Sequence, residues 1–333
     1  MREYRNLLFT ASVLCFIAAY GFFNTNPGFS VFLLILGILL FPHRSRKNYG
    51  KEKGILSAVL LSFYFFVYLP FSVPVSGECT VTFLDVGQGD CTILEFMDGK
   101  TTVIDGGLSQ YGTRIVSFLQ SRKIHRIDLL IATHLHSDHI GGLPDILSCF
   151  PVERFIEPVY PSELSPDTAA VRYLKQALKK ENLSPEAVQG GRVLLEGDGY
   201  LLEAVSPVAS IDSLDLNDYC LILKLTCGRN VFLFTADAGY LAELEILDQN
   251  LSADVLKIGH HGSFGSTSTA FLNAVSPKYG VISVGTDNDY ELPNPYVLNR
   301  LQDYNVHVFR TDQNGTVTMH SDGISITVQC EKP

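Results

Sequence analysis

Three stretches without charge open the chain. Leu7 to Phe23 and Phe29 to Phe41 are separated by the neutral turn Asn24-Thr25-Asn26-Pro27-Gly28, and Gly54 to Gly77 follows a basic loop over 43–53. Apolar runs of this order, near the ~20 residues that cross a bilayer, predict about three transmembrane helices within residues 1–76. From Cys79 the pattern changes to short alternating segments. Strands are predicted over 80–85, 91–96, 101–105 and 127–132, near Leu201, Leu221 and Val231, and over 255–258, 279–284 and 306–309. Helices are predicted near 114–122, 166–182, 240–248 and 296–303, with a closing hairpin at 316–328. The segment from Gly141 to Asn217 has the weakest pattern. Many short strands with helices between them predict an α/β domain over 77–333, two packed sheets flanked by helices in αββα order.

Charge divides the chain at the same place. Residues 1–76 carry seven Lys/Arg against two acids, while the whole chain has a formal net charge of −10. Positive charge at Arg2, Arg5 and in the loop 43–53 places both on the cytoplasmic side, so the expectation is a multi-pass protein of the cell membrane with its domain after Gly77 outside. A cleavable signal peptide is the rival reading of residues 1–23, but further apolar segments follow with no clear cleavage site. The acidic body argues against a broad basic nucleic-acid face. The seven cysteines contain no Cys-x-x-Cys pair. Cys91, Cys149, Cys220 and Cys227 read as small core residues, and a disulfide between Cys79 and Cys330 is open to an exported domain.

Chemistry concentrates in one stretch, Ala132-Thr133-His134-Leu135-His136-Ser137-Asp138-His139-Ile140-Gly141-Gly142, at the end of an apolar strand. Three imidazoles and a carboxylate within six residues are costly to gather without a cation, and both are good ligands for zinc and related ions. His134 and His136 converge on one point while Asp138 and His139 reach a second, which is a two-metal arrangement. A solvated His-rich loop is the bland alternative, and the further pair His260-His261 weighs against it.

Three further sites can complete the cluster. Asp237 ends the strand Val231 to Ala236. Alone it reads as a helix N-cap, but two cations need a bridging anion. His260 and His261, taken as extended chain, point to opposite sides, so one is expected to be a ligand and the other to face substrate. Asp105, before Gly106-Gly107, either orients a ligand His or initiates a turn.

Assembled, these residues resemble the metallo-β-lactamase superfamily, whose His-x-His-x-Asp-His signature stands here as His134-Leu135-His136-Ser137-Asp138-His139. They are similar in particular to the metallo-hydrolase domain of ComEC competence proteins. The matching stretches include Phe83 to Asp90, Ile104 to Gly107, Thr133 to Gly142, Thr235 to Asp237, Asp254 to Ser263, and Arg310-Thr311 with Asn314-Gly315. The resemblance implies hydrolysis of a nucleic-acid phosphodiester by a hydroxide held between two divalent ions, zinc or manganese. His134, His136, Asp138, His139, Asp237 and one of His260/His261 would be ligands, with Asp138 and Asp237 as catalytic carboxylates. Asn217, Lys257 and Ser263 are candidate substrate contacts, although a strand lysine facing solvent is the plainer reading of Lys257. Single-stranded or linear DNA is the implied partner. Three departures stand out: no His lies between His139 and His260, Glu291-Leu292-Pro293 replaces a common Gly-His-Pro, and Cys220 replaces a Ser. The large channel domain of a ComEC protein has no counterpart in residues 1–76. Rival readings are an extracellular phosphodiesterase for phosphocholine or lipid- or wall-linked esters, and a non-catalytic, membrane-tethered binding module.

Overall fold

The computed structural model describes residues 77–208 and 212–332, so the transmembrane helices expected over 1–76 lie outside the described residues. Among the described residues no helix is long and apolar enough to cross a membrane. Fifteen strands are described: β1 Cys79–Phe83, β2 Thr92–Phe96, β3 Thr101–Ile104, β4 Ile127–Ile131, β5 Val152–Pro158, β6 Pro185–Val188, β7 Arg192–Gly197, β8 Tyr200–Ala204, β9 Leu223–Cys227, β10 Asn230–Phe234, β11 Val255–Lys257, β12 Tyr279–Ile282, β13 His307–Arg310, β14 Val317–Ser321 and β15 Ile326–Cys330. The helices are α1 Gly112–Ser121, α2 Ser137–Ile140, α3 Leu143–Cys149, α4 Ala169–Lys180, α5 Tyr240–Leu244, α6 Thr269–Val275, α7 Pro295–Asp303 and α8 Thr311–Asn314.

One sheet runs β15-β14-β1-β2-β3-β4-β5-β6 and the other β13-β12-β11-β10-β9-β8-β7. Alternation along the strands builds the layers. Leu129 and Ile131 of β4 meet Val81, Phe83, Phe232 and Phe234 between the sheets. Leu130 faces the other way, in a second apolar cluster with Ile115 of α1, Ile146 of α3 and Leu174 of α4. Leu233 of β10 likewise turns out to Phe271 of α6 and Val297 of α7. The order is therefore αββα, as the pattern predicts.

Strands β3 and β4 run parallel, with Ile104 opposite Ile131. In the second sheet β10, β11 and β12 are parallel, with Phe234 opposite Lys257 and Lys257 opposite Val281. Loops leaving the carboxyl ends of parallel strands share an edge, which is where open α/β sheets gather ligands. Asp105, the His134 to His139 stretch, Asp237, His260-His261 and Ser283 all follow such strand ends.

The cysteine expectations need correction. Cys79 pairs with Cys227, joining β1 of one sheet to β9 of the other. Cys330 cannot serve, because Cys79 registers with Ser321, which registers with Ile326, leaving Cys330 at the far end of its strand. Cys149 is exposed, while Cys91 and Cys220 are buried thiols as expected.

Candidate metal centre

The site begins with Asp105, held at a φ of 61° directly after β3. Its Oδ1 accepts from the Thr133 N–H at 2.8 Å, and Oδ2 accepts from the Thr133 hydroxyl at 2.7 Å. The same Oδ2 lies 2.8 Å from Nδ1 of His139. Asp105 therefore orients a histidine rather than merely starting a turn. Gly106 allows this packing, since a Cβ there would lie 2.9 Å from the Leu143 nitrogen. On the other side of the loop, Gly89 adopts a φ of +138°, and a Cβ would lie 2.4 Å from the Asp138 carbonyl. The Asp90 N–H donates to that carbonyl at 3.2 Å.

Two groups of donor atoms converge on Asp237. Its Oδ2 is 3.9 Å from Nε2 of His134, which lies 3.0 Å from Nδ1 of His136. Its Oδ1 is 3.2 Å from Nε2 of His139 and 3.6 Å from Nε2 of His261, and the latter is 3.2 Å from Oδ2 of Asp138. Donor atoms of Asp138, His139, Asp237 and His261 lie within 4.8 Å of one another, as do those of His134, His136 and Asp237. Asp237 is not a helix cap: α5 starts at Tyr240 behind Gly239, with no side-chain cap.

The hydrogen bonding fits ions at both points. His139 Nε2 and Asp237 Oδ1 are buried without a hydrogen-bond partner despite their proximity. With Nδ1 of His139 on Asp105 and Nδ1 of His261 donating to the Ser283 carbonyl at 2.8 Å, each ring turns its Nε2 into the cluster, where an ion would take the place of a proton. Burial disfavours charge throughout, but attraction prevails: Asp237 and Asp105 hold His139 well above its ordinary pKa. Asp237 and Asp138 raise His261, and His139 and His261 hold Asp237 well below the usual carboxylate range. Burial and the neighbouring His139 push His134 down, which favours the lone-pair form that ligates.

The adjacent histidines divide, though not by extended-chain alternation. His260 and His261 sit in a tight turn with φ of 48° and 54°, a backbone region that non-glycine residues enter at a cost. His261 is buried in the cluster, whereas the His260 side chain is 36% exposed with Nε2 3.6 Å from Asp237 Oδ2. His260 thus stands on the rim.

Lysine 257 overturns both of its expectations. The side chain of Lys257 is buried, and its Nζ lies 2.7 Å from Oδ2 of Asp90 and donates to the Ile258 carbonyl at 3.1 Å. It neither faces solvent nor reaches outward to a phosphate. Asp90 in turn lies 3.5 Å from Nδ1 of His261. Asn217 is buried with an unpaired Oδ1, on a turn tied to the site by the Leu221 N–H donating to Thr133. Ser263 is half-buried just past His261. Asp90, Thr133 and Ser283 were not singled out from the sequence. Asp90 ends the family-matching stretch Phe83 to Asp90, but as part of Gly87-Gln88-Gly89-Asp90 it reads as a turn residue and not as a partner of the site.

Residues 84–286 match the metallo-beta-lactamase superfamily. The chain is 32% identical over 304 residues to ComE operon protein 3 of Bacillus subtilis, covering 85% of this chain and 38% of that protein. It is 31% identical to competence protein ComA of Neisseria gonorrhoeae, covering 78% of this chain and 35% of the relative. Recombination protein 2 of Haemophilus influenzae is 31% identical, with 79% and 31% covered. The chain thus spans between 31% and 38% of the length of these relatives.

Proposed function

This chain belongs to the metallo-β-lactamase superfamily, and we propose that it is a membrane-anchored phosphodiesterase that cuts DNA during uptake, with two divalent ions, zinc or manganese, at the site just described. The chain is a metal-dependent hydrolase of that superfamily, related to ComEC competence proteins. The observation that carries the finer reading is Asp237, whose two oxygens each face a separate set of donors. His134 and His136 would hold one ion; Asp138, His139 and His261 would hold the other, and Asp237 would serve both. Ions bound there acidify water and offset the charge that develops on a phosphate. Asp105 and the Ser283 carbonyl fix the tautomers of His139 and His261, so both rings are aimed before metal arrives. His260, on the rim, would be the imidazole that meets substrate. The names of the relatives, which speak of competence and recombination, and the apolar runs before Gly77 support DNA at the outer face of the membrane.

Elemental analysis of the purified chain should give close to two divalent ions per molecule, and Asp138→Ala should lose one. Loaded with manganese or zinc, the chain should cleave single-stranded or linear DNA, with cleavage abolished in His136→Ala. The acidic body keeps a second reading in play, in which a lipid- or wall-linked phosphodiester is the substrate. Cleavage of a small diester with none of any DNA, across a range of salt and metals, would favour it. A folded, active chain with no metal would sink the metallo-hydrolase mechanism.

A further inference from the structure

Two segments leave the candidate metal centre and meet again beside it. One runs from Asp237 to Tyr240 and the other from His261 through Phe264, joined where the Tyr240 N–H donates to the Gly265 carbonyl at 2.9 Å. Between them lies a cavity of about 470 Å³ whose lining includes Tyr240, Phe264, Ser266, Ser268 and Arg300. The wall is continuous with the metal loop, because the Ser266 hydroxyl donates to the carbonyls of Gly259 at 2.7 Å and Ser263 at 2.9 Å.

The rings here are placed where an apolar group is costly. Tyr240 is 57% exposed, Phe264 63% and Tyr296 68%. Phe264 and Tyr296 stand edge to face with centroids 5.9 Å apart, and both stay largely exposed. Of the five exposed aromatic side chains among the described residues, Tyr173 lies elsewhere on α4, Tyr240 follows the segment that carries Asp237, Phe264 the one that carries His261, and Tyr290 and Tyr296 the one that carries Ser283. The cavity presents a cation at its surface, with the buried carboxylate of Glu243 accepting from the Thr267 and Ser268 N–H groups behind it. Arg300 is its only charged lining residue, in a protein of net charge −10. Its guanidinium donates to the Ser266 carbonyl at 3.2 Å and also to that of Thr267, which holds a cation at the cavity wall.

We infer that this cavity, lined by Phe264 with Tyr296 against that ring, is a stacking site for the bases of a single strand of nucleic acid whose backbone passes the candidate metal centre. The inference rests on the phosphodiesterase reading above and adds to it the form of the substrate. Open aromatic faces accept any base, because every base offers a π-face, and a nearby guanidinium suits the adjoining phosphate. Such a site needs no broad basic surface, which reconciles a nucleic-acid substrate with an acidic body. Duplex DNA keeps its bases stacked internally and gains nothing from the rings, so single strands are preferred.

The test uses the full-length chain in detergent with a twelve-residue oligothymidylate. In Phe264→Ala/Tyr296→Ala the KM for cleavage should rise on the order of ten-fold or more with kcat little changed, and Phe264→Trp should retain the wild-type value. Metal content and thermal midpoint report whether the variant is folded. Binding of the same oligonucleotide to chelated protein, read by fluorescence anisotropy, separates this inference from the phosphodiesterase reading. If no DNA is cleaved but chelated wild type binds the strand and the variant binds it ten-fold more weakly, the stacking site stands and the nuclease reading falls. If wild type cleaves DNA and the folded variant shows the same KM and the same binding, the stacking site is overturned and the nuclease reading stands.

Discussion

Lys257 and Asp90 form a fully buried ion pair under the metal ligands, and their chemistry differs from that of the ligands above them. A cation and an anion removed from water hold one another only while both are present, and loss of one partner leaves an uncompensated charge. Lys257→Met should therefore destabilise the chain by about 3–5 kcal/mol, whereas Lys257→Met/Asp90→Asn should recover much of that loss. Denaturant midpoints on wild type and the two variants measure it, and an equal loss in the single and double variants would show that the pair's charge is not what matters. Asp90 is also 3.5 Å from the ring of His261, so metal affinity should fall in the single variant. Neither role was legible in the sequence. An isolated Lys in an alternating strand reads as its solvent-facing position, and only the fold places a carboxylate opposite it. The ligand cluster was legible because five of its residues fall in two short stretches and Asp237 closes an apolar strand. The choice between His260 and His261 was not, because it depends on a turn with positive φ at both residues.

At the level of elements, loops at the ends of parallel strands do the positioning, and they are held by backbone contacts that tolerate little change. The turn between β1 and β2 presses on the metal loop at Gly89, whose φ of +138° no other residue adopts easily and whose α-carbon faces the Asp138 carbonyl. Gly89→Ala should cost roughly 1–3 kcal/mol in stability from backbone strain alone. It should also displace Asp138 and reduce bound metal toward one ion per chain, as measured by elemental analysis beside a denaturation curve. Full metal content at unchanged stability would mean the turn does not set the position of Asp138. Most elements follow from periodicity: α1, α4, α7 and the closing hairpin fall close to where the pattern puts them. The three strands β5, β6 and β7 lie in the stretch with the weakest signal. Strand β6 is nearly all exposed and β7 carries a register shift against β8, so neither shows clean alternation. Helix α5 ends at Leu244, shorter than its apolar pattern suggests.

On the scale of the whole domain, the two sheets meet across a shared apolar core and are further tied by Cys79–Cys227, which closes a loop of 148 residues. In the chain-entropy picture a link across so long a loop restricts the unfolded chain by up to about 5 kcal/mol, with measured values commonly about 2–5 kcal/mol. Disulfides persist in oxidising compartments and are reduced in the cytosol, so this bond supports the outward placement of the domain that the basic loop 43–53 suggests. Cys79→Ser/Cys227→Ser should lower stability by about 2–5 kcal/mol. Reductant should produce a similar loss in wild type and no further loss in the variant. In intact cells, a membrane-impermeant protease should reach the domain beyond Gly77, and alkylation of the lysate without reductant should leave Cys79 and Cys227 unmodified. Recovery of both as alkylated thiols, together with full protection from protease until lysis, would place the domain in the reducing interior and remove the basis for cleaving DNA at the outer face of the membrane.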